Sequence, residues 1–184
     1  VDEWVVENTI QWLSERKQKI LASVNLSGKS ISDKSFLNFV VTKIKDYRIN
    51  PELLCFEITE TAAISHLTTA IHFMTVLKKL GCTFALDDFG SGFSSFSYLK
   101  SLPVDFLKID GSFVKDILED PIDMAMVKAI NEIGQVLGKQ TIAEFVENTA
   151  ILRQLERLGV NYAQGYGIHR PQALVNWARG AEAA

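Results

Sequence analysis

Six times along the chain a near-continuous apolar, β-rich run gives way to an amphipathic helical stretch. The runs are KILASVNLS at 19–27, LLCFEITE at 53–60, TFALDDF at 83–89, DFLKID at 105–110, QTIAEFVE at 140–147 and NYAQGYG at 161–167. Helical stretches fall at about 2–17, 34–46, 66–80, 94–101, 121–137, 149–158 and 172–180. Strands that are apolar without alternation suit a parallel sheet covered on both faces. Regular strand–helix alternation argues for an α/β fold. Gly81, Gly138 and Gly159 fall just after helices, where a left-handed terminal residue is wanted. Asn50-Pro51 and Leu102-Pro103 mark entries to strands.

Every strand also carries a polar residue near its C-terminal end: Asn25, Glu57, Asp87 with Asp88, Lys108, Glu144 and Gln164. In an open six-stranded sheet the outer strands lie about 24 Å apart, and these residues cannot meet. In a closed barrel all strand tips rim one mouth, where barrel enzymes place their sites. The alternative is that six strands each happen to end on a polar residue. The barrel is the expectation, of the (β/α)8 type. That type needs eight strands and the chain shows six, so two βα units are expected before Val1. The chain opens without Met, directly on a helix that Asp2 can cap. An uncovered barrel edge is a hazard. The 184-residue piece alone is therefore expected to be inactive or poorly stable.

Composition narrows the setting. With 47% hydrophobic and 22% charged residues the chain reads as one ordinary globular domain. No apolar run approaches the roughly 20 residues of a membrane span, and no secretory signal is visible. Cys55 and Cys82 are expected as unpaired thiols in a reducing, cytoplasmic setting, whether or not a parent protein is membrane-attached. A net charge of −3 without a Lys/Arg block argues against binding duplex DNA or RNA.

The rim set is acidic and amide-bearing: Asn25, Glu57, Glu60, Asp87, Asp88, Asp110, Glu144 and Glu147. His66, His72 and His169 sit on helices or in the last loop, so zinc held by His or Cys is not expected. Oxygen ligands suit Mg²⁺ or Mn²⁺. Adjacent Asp87 and Asp88 repel each other unless cations neutralise them. Two ions would activate a water and stabilise an in-line phosphoryl displacement. The plainer alternative is that the pair caps a helix or starts a turn. Lys108 can neutralise charge, hold an attacking water or steady a phosphate oxygen. Its alternative is a structural salt bridge with Asp110 or Glu144. FGSGFSS at 89–95 permits a tight loop, in which Ser91, Ser94 and Ser95 can bond locally or cap. GKS at 28–30 lacks the upstream glycine spacing of a P-loop.

The segments SVNLSG, LLCFEITET, FALDDFGSGFSSFSYLKSLPVDFLKIDGSFV, TIAEFVEN and YAQGYGIHRP, in this order, resemble the EAL-domain phosphodiesterases of bacteria, over essentially the whole chain. The resemblance implies a TIM-like barrel with one reversed strand and hydrolysis of cyclic di-GMP to linear pGpG. It implies that Asn25, Glu57 and Asp87 hold a first metal, and that Asp87, Asp88 and Glu144 hold a second. Lys108 would contact the nucleophilic water, Glu60 would steady the DDFGSG loop, and Asp110, Glu147 and Gln164 would support the site. It further implies possible homodimers, and sensor or GGDEF domains in the same polypeptide. Three departures stand out. The Glu-Ala-Leu motif is absent, and with it one ligand. Phe145 stands where the family often has Gly, and Ser91 replaces a common Thr. A receptor that binds the dinucleotide without cutting it is the alternative. An unrelated sugar- or phosphate-processing barrel is a second.

Overall fold

All six expected strands form, and each runs parallel to its neighbour. A computed structural model describes residues 1–16, 19–92 and 97–173. The strands are β1 (Ala22–Leu26), β2 (Leu54–Thr59), β3 (Thr83–Phe89), β4 (Phe106–Ile109), β5 (Gln140–Ala143) and β6 (Tyr162–Ala163). They lie side by side in chain order in one sheet, curved as a half-barrel. The expected helices are α1 (Asp2–Ser14), α3 (Lys34–Asp46), α5 (Leu67–Leu80), α7 (Pro121–Val136) and α8 (Thr149–Leu158). Three short ones were not foreseen: α2 (Gly28–Ile31), α4 (Glu60–Ser65) and α6 (Gly111–Lys115).

The unforeseen helices share a cause. Each starts within two residues of a strand end, where a polar side chain caps it. Ser27 accepts from Ser30 N, Thr59 from Ala62 N and Asp110 from Ser112 N. Such caps satisfy amide donors that a helix start leaves unpaired. The last two strands are shorter than the apolar runs. The run at 140–147 stays extended only to Ala143, because Phe145 takes a left-handed φ of +53°. The helix expected at 94–101 is a single 3-10 turn, Tyr98–Lys100, where it is described. Residues 93–96 and the expected helix beyond 173 lie outside the described residues.

The core is the convex face of the sheet under its helices. Val24, Leu26, Leu54, Phe56, Ile58, Phe84, Leu86, Leu107 and Ile109 are all buried there. Phe84 stacks at a tilt on Phe56 with ring centroids 5.7 Å apart, and meets Phe73 of α5 edge-on at 6.2 Å. The concave face carries the alternate residues. Ser23, Cys55, Phe106 and Ile142 line an open trough of about 800 Å³ there. Both cysteines are free and buried. Burial pushes the Cys55 thiol up to about 11 and the Cys82 thiol up to about 12. Among the described residues β1 and β6 each have one strand neighbour, and Leu21, Tyr162 and Ile168 stay exposed along this open flank.

Candidate active site

A strand presents successive side chains to opposite faces, so Asp87 and Asp88 should point apart. A bulge changes this. Ala85 and Leu86 pair with Phe106 and Leu107, but the next pair is Phe89 with Ile109, so three steps on β3 oppose two on β4. The extra residue is absorbed where Asp88 takes a φ of +53°, a conformation Asp tolerates better than most residues. Both carboxylates consequently reach the C-terminal mouth of the sheet. Asp87, Asp88 and Glu144 each offer an oxygen within 4.8 Å of the other two.

Lys108 fills the centre of this acidic group. Its Nζ lies 2.7 Å from Glu57 Oε2, 2.7 Å from Asp87 Oδ1 and 2.8 Å from Glu144 Oε1. Only 3% of the lysine is exposed. Glu57 and Lys108 stand on β2 and β4, with β3 between them, and the β3 residue in register with Glu57 is Ala85. A short side chain at that point lets the two meet across the strand. Burial alone would lower the lysine's pKa, but the nearby Asp87, Glu144 and Glu57 carboxylates outweigh it and raise it. The salt-bridge alternative thus holds for Glu144 but not for Asp110, which caps α6 instead.

The carboxylates themselves are driven the other way. Burial raises the Glu144 pKa against the pull of Lys108, with Asp87 and Asp88 adding to the rise. Asp88 is raised by desolvation first and then by Asp87 and Asp110. Asp87 Oδ1 is buried and, although at ion-pair distance from Lys108, accepts no well-directed hydrogen bond. Three carboxylates share one ammonium, Asp88 stands beside two of them, and one oxygen is left poorly satisfied. That oxygen-only donor set fits a hard divalent cation.

The remaining expected residues fall into three places. Asn25 is exposed beside Glu57 in register, at the tip of β1. Glu60 is buried and ties down the turn after β3, accepting from Gly90 N at 3.2 Å and from the Tyr98 hydroxyl at 2.5 Å. Ser91 Oγ closes the same turn on Asp88 O at 2.9 Å. Glu147 and Gln164 are exposed and line a cavity of about 260 Å³ with Glu144, Phe145, Gly165 and Tyr166. His66, His72 and His169 are exposed.

Two close approaches shape that cavity. A Cβ on Gly165 would sit 2.3 Å from Val146 N, so the β6 loop can fold onto the strand carrying Glu144 only with glycine there. A Cβ on Gly111 would lie 2.0 Å from the Phe145 ring. Phe145 therefore rests on a bare backbone, yet is 62% exposed to the cavity side. Nothing in the sequence alone couples positions 111 and 145. The partnership of Tyr98 with Glu60 was likewise not legible, since it spans 38 residues.

The model of the EAL domain family matches residues 1–171. The chain is 43% identical over 180 residues to cyclic di-GMP phosphodiesterase PdeB of Shewanella oneidensis, covering 96% of this chain and 21% of the relative. It is 36% identical over 179 residues to cyclic di-GMP phosphodiesterase PdeF of Escherichia coli, covering 96% and 24%. The chain thus spans about a fifth to a quarter of these relatives. Among solved structures, the PaMucR phosphodiesterase in complex with c-di-GMP superposes with a TM-score of 0.87 at 32% identity, covering 95% of this chain and 72% of that one.

Two outcomes are expected. Gly111→Ala destabilises the protein by about 1–3 kcal/mol through overpacking. The same change in a Phe145→Gly background costs much less, because the clash is gone; chemical denaturation of the double-mutant cycle reads the coupling. Second, raised carboxyls hold protons that a cation must displace. Metal uptake then releases protons and weakens as pH falls through the raised range of Asp88 and Glu144. By linkage, without metal these two groups favour the fold more below that range than above it. Calorimetry of Mn²⁺ binding across a descending pH series checks the first statement, and pH-independent binding without proton release contradicts it.

Proposed function

The chain belongs to the EAL domain family, and from that premise we propose that it hydrolyses one phosphodiester of cyclic di-GMP to give linear pGpG. One observation carries the reading: Glu57, Asp87 and Glu144 converge from three strand ends on a buried lysine, with Asp88 beside Asp87 and Glu144. We take two Mg²⁺ or Mn²⁺ ions as the cofactor, the first on Asn25, Glu57 and Asp87 and the second on Asp87, Asp88 and Glu144. When bound, such ions lower the pKa of water and neutralise charge on phosphoryl oxygens.

The protein's own residues have separable tasks. The β3 bulge aims two carboxylates at one point, which one regular strand could not do. Lys108, held by three carboxylates, stays charged and is placed to orient the attacking water. The water oxygen bonds to phosphorus as the phosphorus–O3′ bond breaks, and its proton ends on the departing oxygen. Glu60 fixes the backbone at Gly90 and so the direction of Asp88, which makes it a positioning residue. Asp110 stabilises the start of α6 beside the mouth. Glu147 and Gln164 border the cavity next to Glu144, where Phe145 and Tyr166 offer exposed rings to a flat nucleobase. Base-on-aromatic stacking of this kind tolerates any base face.

The relatives' greater length supports reading this domain as one module of a longer signalling polypeptide, with sensor or cyclase-type domains as companions; a homodimer as its working form is proposed from the family alone. No helix among the described residues is long and apolar enough to cross a membrane, which is compatible with a cytoplasmic placement.

Incubation of the complete protein with cyclic di-GMP and Mn²⁺ is expected to yield the linear dinucleotide. Asp88→Asn is expected to lower turnover by more than about 100-fold. Tight binding without turnover would identify a receptor instead, and unchanged turnover in the variant would refute the ligand set.

A further inference from the structure

Resting on the metal reading above, we propose that Lys108 is a built-in competitor for the divalent cation, and so sets how tightly the site holds metal. Asp87 and Glu144 belong to the cluster that can grip a cation. The same two side chains each give an oxygen to Lys108, at 2.7 and 2.8 Å. Glu57 gives a third at 2.7 Å. An ammonium this close to the shared oxygens repels any dication drawn to them, and burial leaves little water to screen the repulsion. Among the described residues the lysine's ion-pair partners are these three carboxylates at the mouth. A cation entering between Asp87, Asp88 and Glu144 must therefore share two ligands with it or push it toward Glu57. Glu57 lies outside the Asp87–Asp88–Glu144 group and so is the contact left to the lysine when that group takes a cation, until a first cation on Asn25, Glu57 and Asp87 competes for it too.

The arrangement has a use. Unpaired, four clustered carboxylates would destabilise the protein whenever metal is scarce. With Lys108 between them, the folded mouth survives without metal, at the expense of affinity. The site then answers to the free cation concentration rather than holding its metal permanently.

The test is calorimetric titration of Mn²⁺ into the complete protein and into Lys108→Met and Lys108→Gln variants, with circular dichroism to confirm folding. Both neutral variants are expected to bind Mn²⁺ about tenfold tighter or more and to gain more in Tm from saturating Mn²⁺ than the unmodified protein. Equal or weaker binding in folded variants overturns the competition and makes Lys108 an organiser of its ligands. Absence of Mn²⁺ binding in the unmodified protein as well overturns the metal reading itself. Should neither variant fold, the unmodified protein carries the test. The ¹⁵N resonance of the Lys108 ammonium is expected to move on titration with Mg²⁺, and an unmoved resonance under saturating Mg²⁺ overturns the proposal.

Discussion

One buried ammonium surrounded by three carboxylates organises the mouth of this sheet. Lys108 comes from β4 and its partners from β2, β3 and the end of β5. No local rule brings these residues together; only a curved parallel sheet does. The interaction is expensive to assemble, since charges leave water, and breaking such a group one partner at a time typically costs about 3–5 kcal/mol. Its persistence in a protein interior is therefore a statement about function more than about stability. The convex face, by contrast, is ordinary: a layer of Val, Leu, Ile and Phe under helices, which keeps the strands in register so that the tips arrive together.

Around that centre the backbone departs from regular geometry at two non-glycine residues. Asp88 and Phe145 both take left-handed φ values near +53° and sit one residue beyond Asp87 and Glu144. Each departure costs free energy of order 1 kcal/mol or more. Each also turns the chain where a strand would otherwise carry a functional side chain away. The supports are specific. Glu60 and Ser91 hold the turn after Asp88, and Gly111 gives the Phe145 ring a surface without a side chain. Strain and support occur together at the mouth, where a site needs fixed directions more than it needs stability.

Much of this was readable beforehand, and the exceptions have physical reasons. The strand–helix alternation located all six strands because each leaves a near-continuous apolar run, although only β2, β3 and β4 are largely buried on both faces and β1 and β6 are not. The polar strand tips located the site because a parallel sheet has one C-terminal edge. The capped short helices escaped notice because four to six residues carry no periodicity; only Ser27, Thr59 and Asp110 signalled them, and the same residues also read as turn formers. Asp110 caps α6 through Ser112 N while its charge also acts on Asp88 at the mouth. The direction of Asp88 depended on a bulge, and bulges are set by the partner strand. The tripartite grip on Lys108 was legible as a type of contact but not as a set, because Glu57 reaches it across β3 past Ala85. Contacts separated by dozens of residues, such as Tyr98 with Glu60, have no local trace at all.

The central claim is that strand tips distant in sequence gather oxygens around shared divalent cations. Anomalous diffraction from crystals of the complete protein soaked in Mn²⁺ tests it most directly. The expected result is a manganese peak in direct coordination with carboxylate oxygens of Asp87, Asp88 and Glu144. Manganese bound only elsewhere on the protein, with Glu57, Asp87 and Glu144 closed around Lys108 and no peak between them, would contradict it.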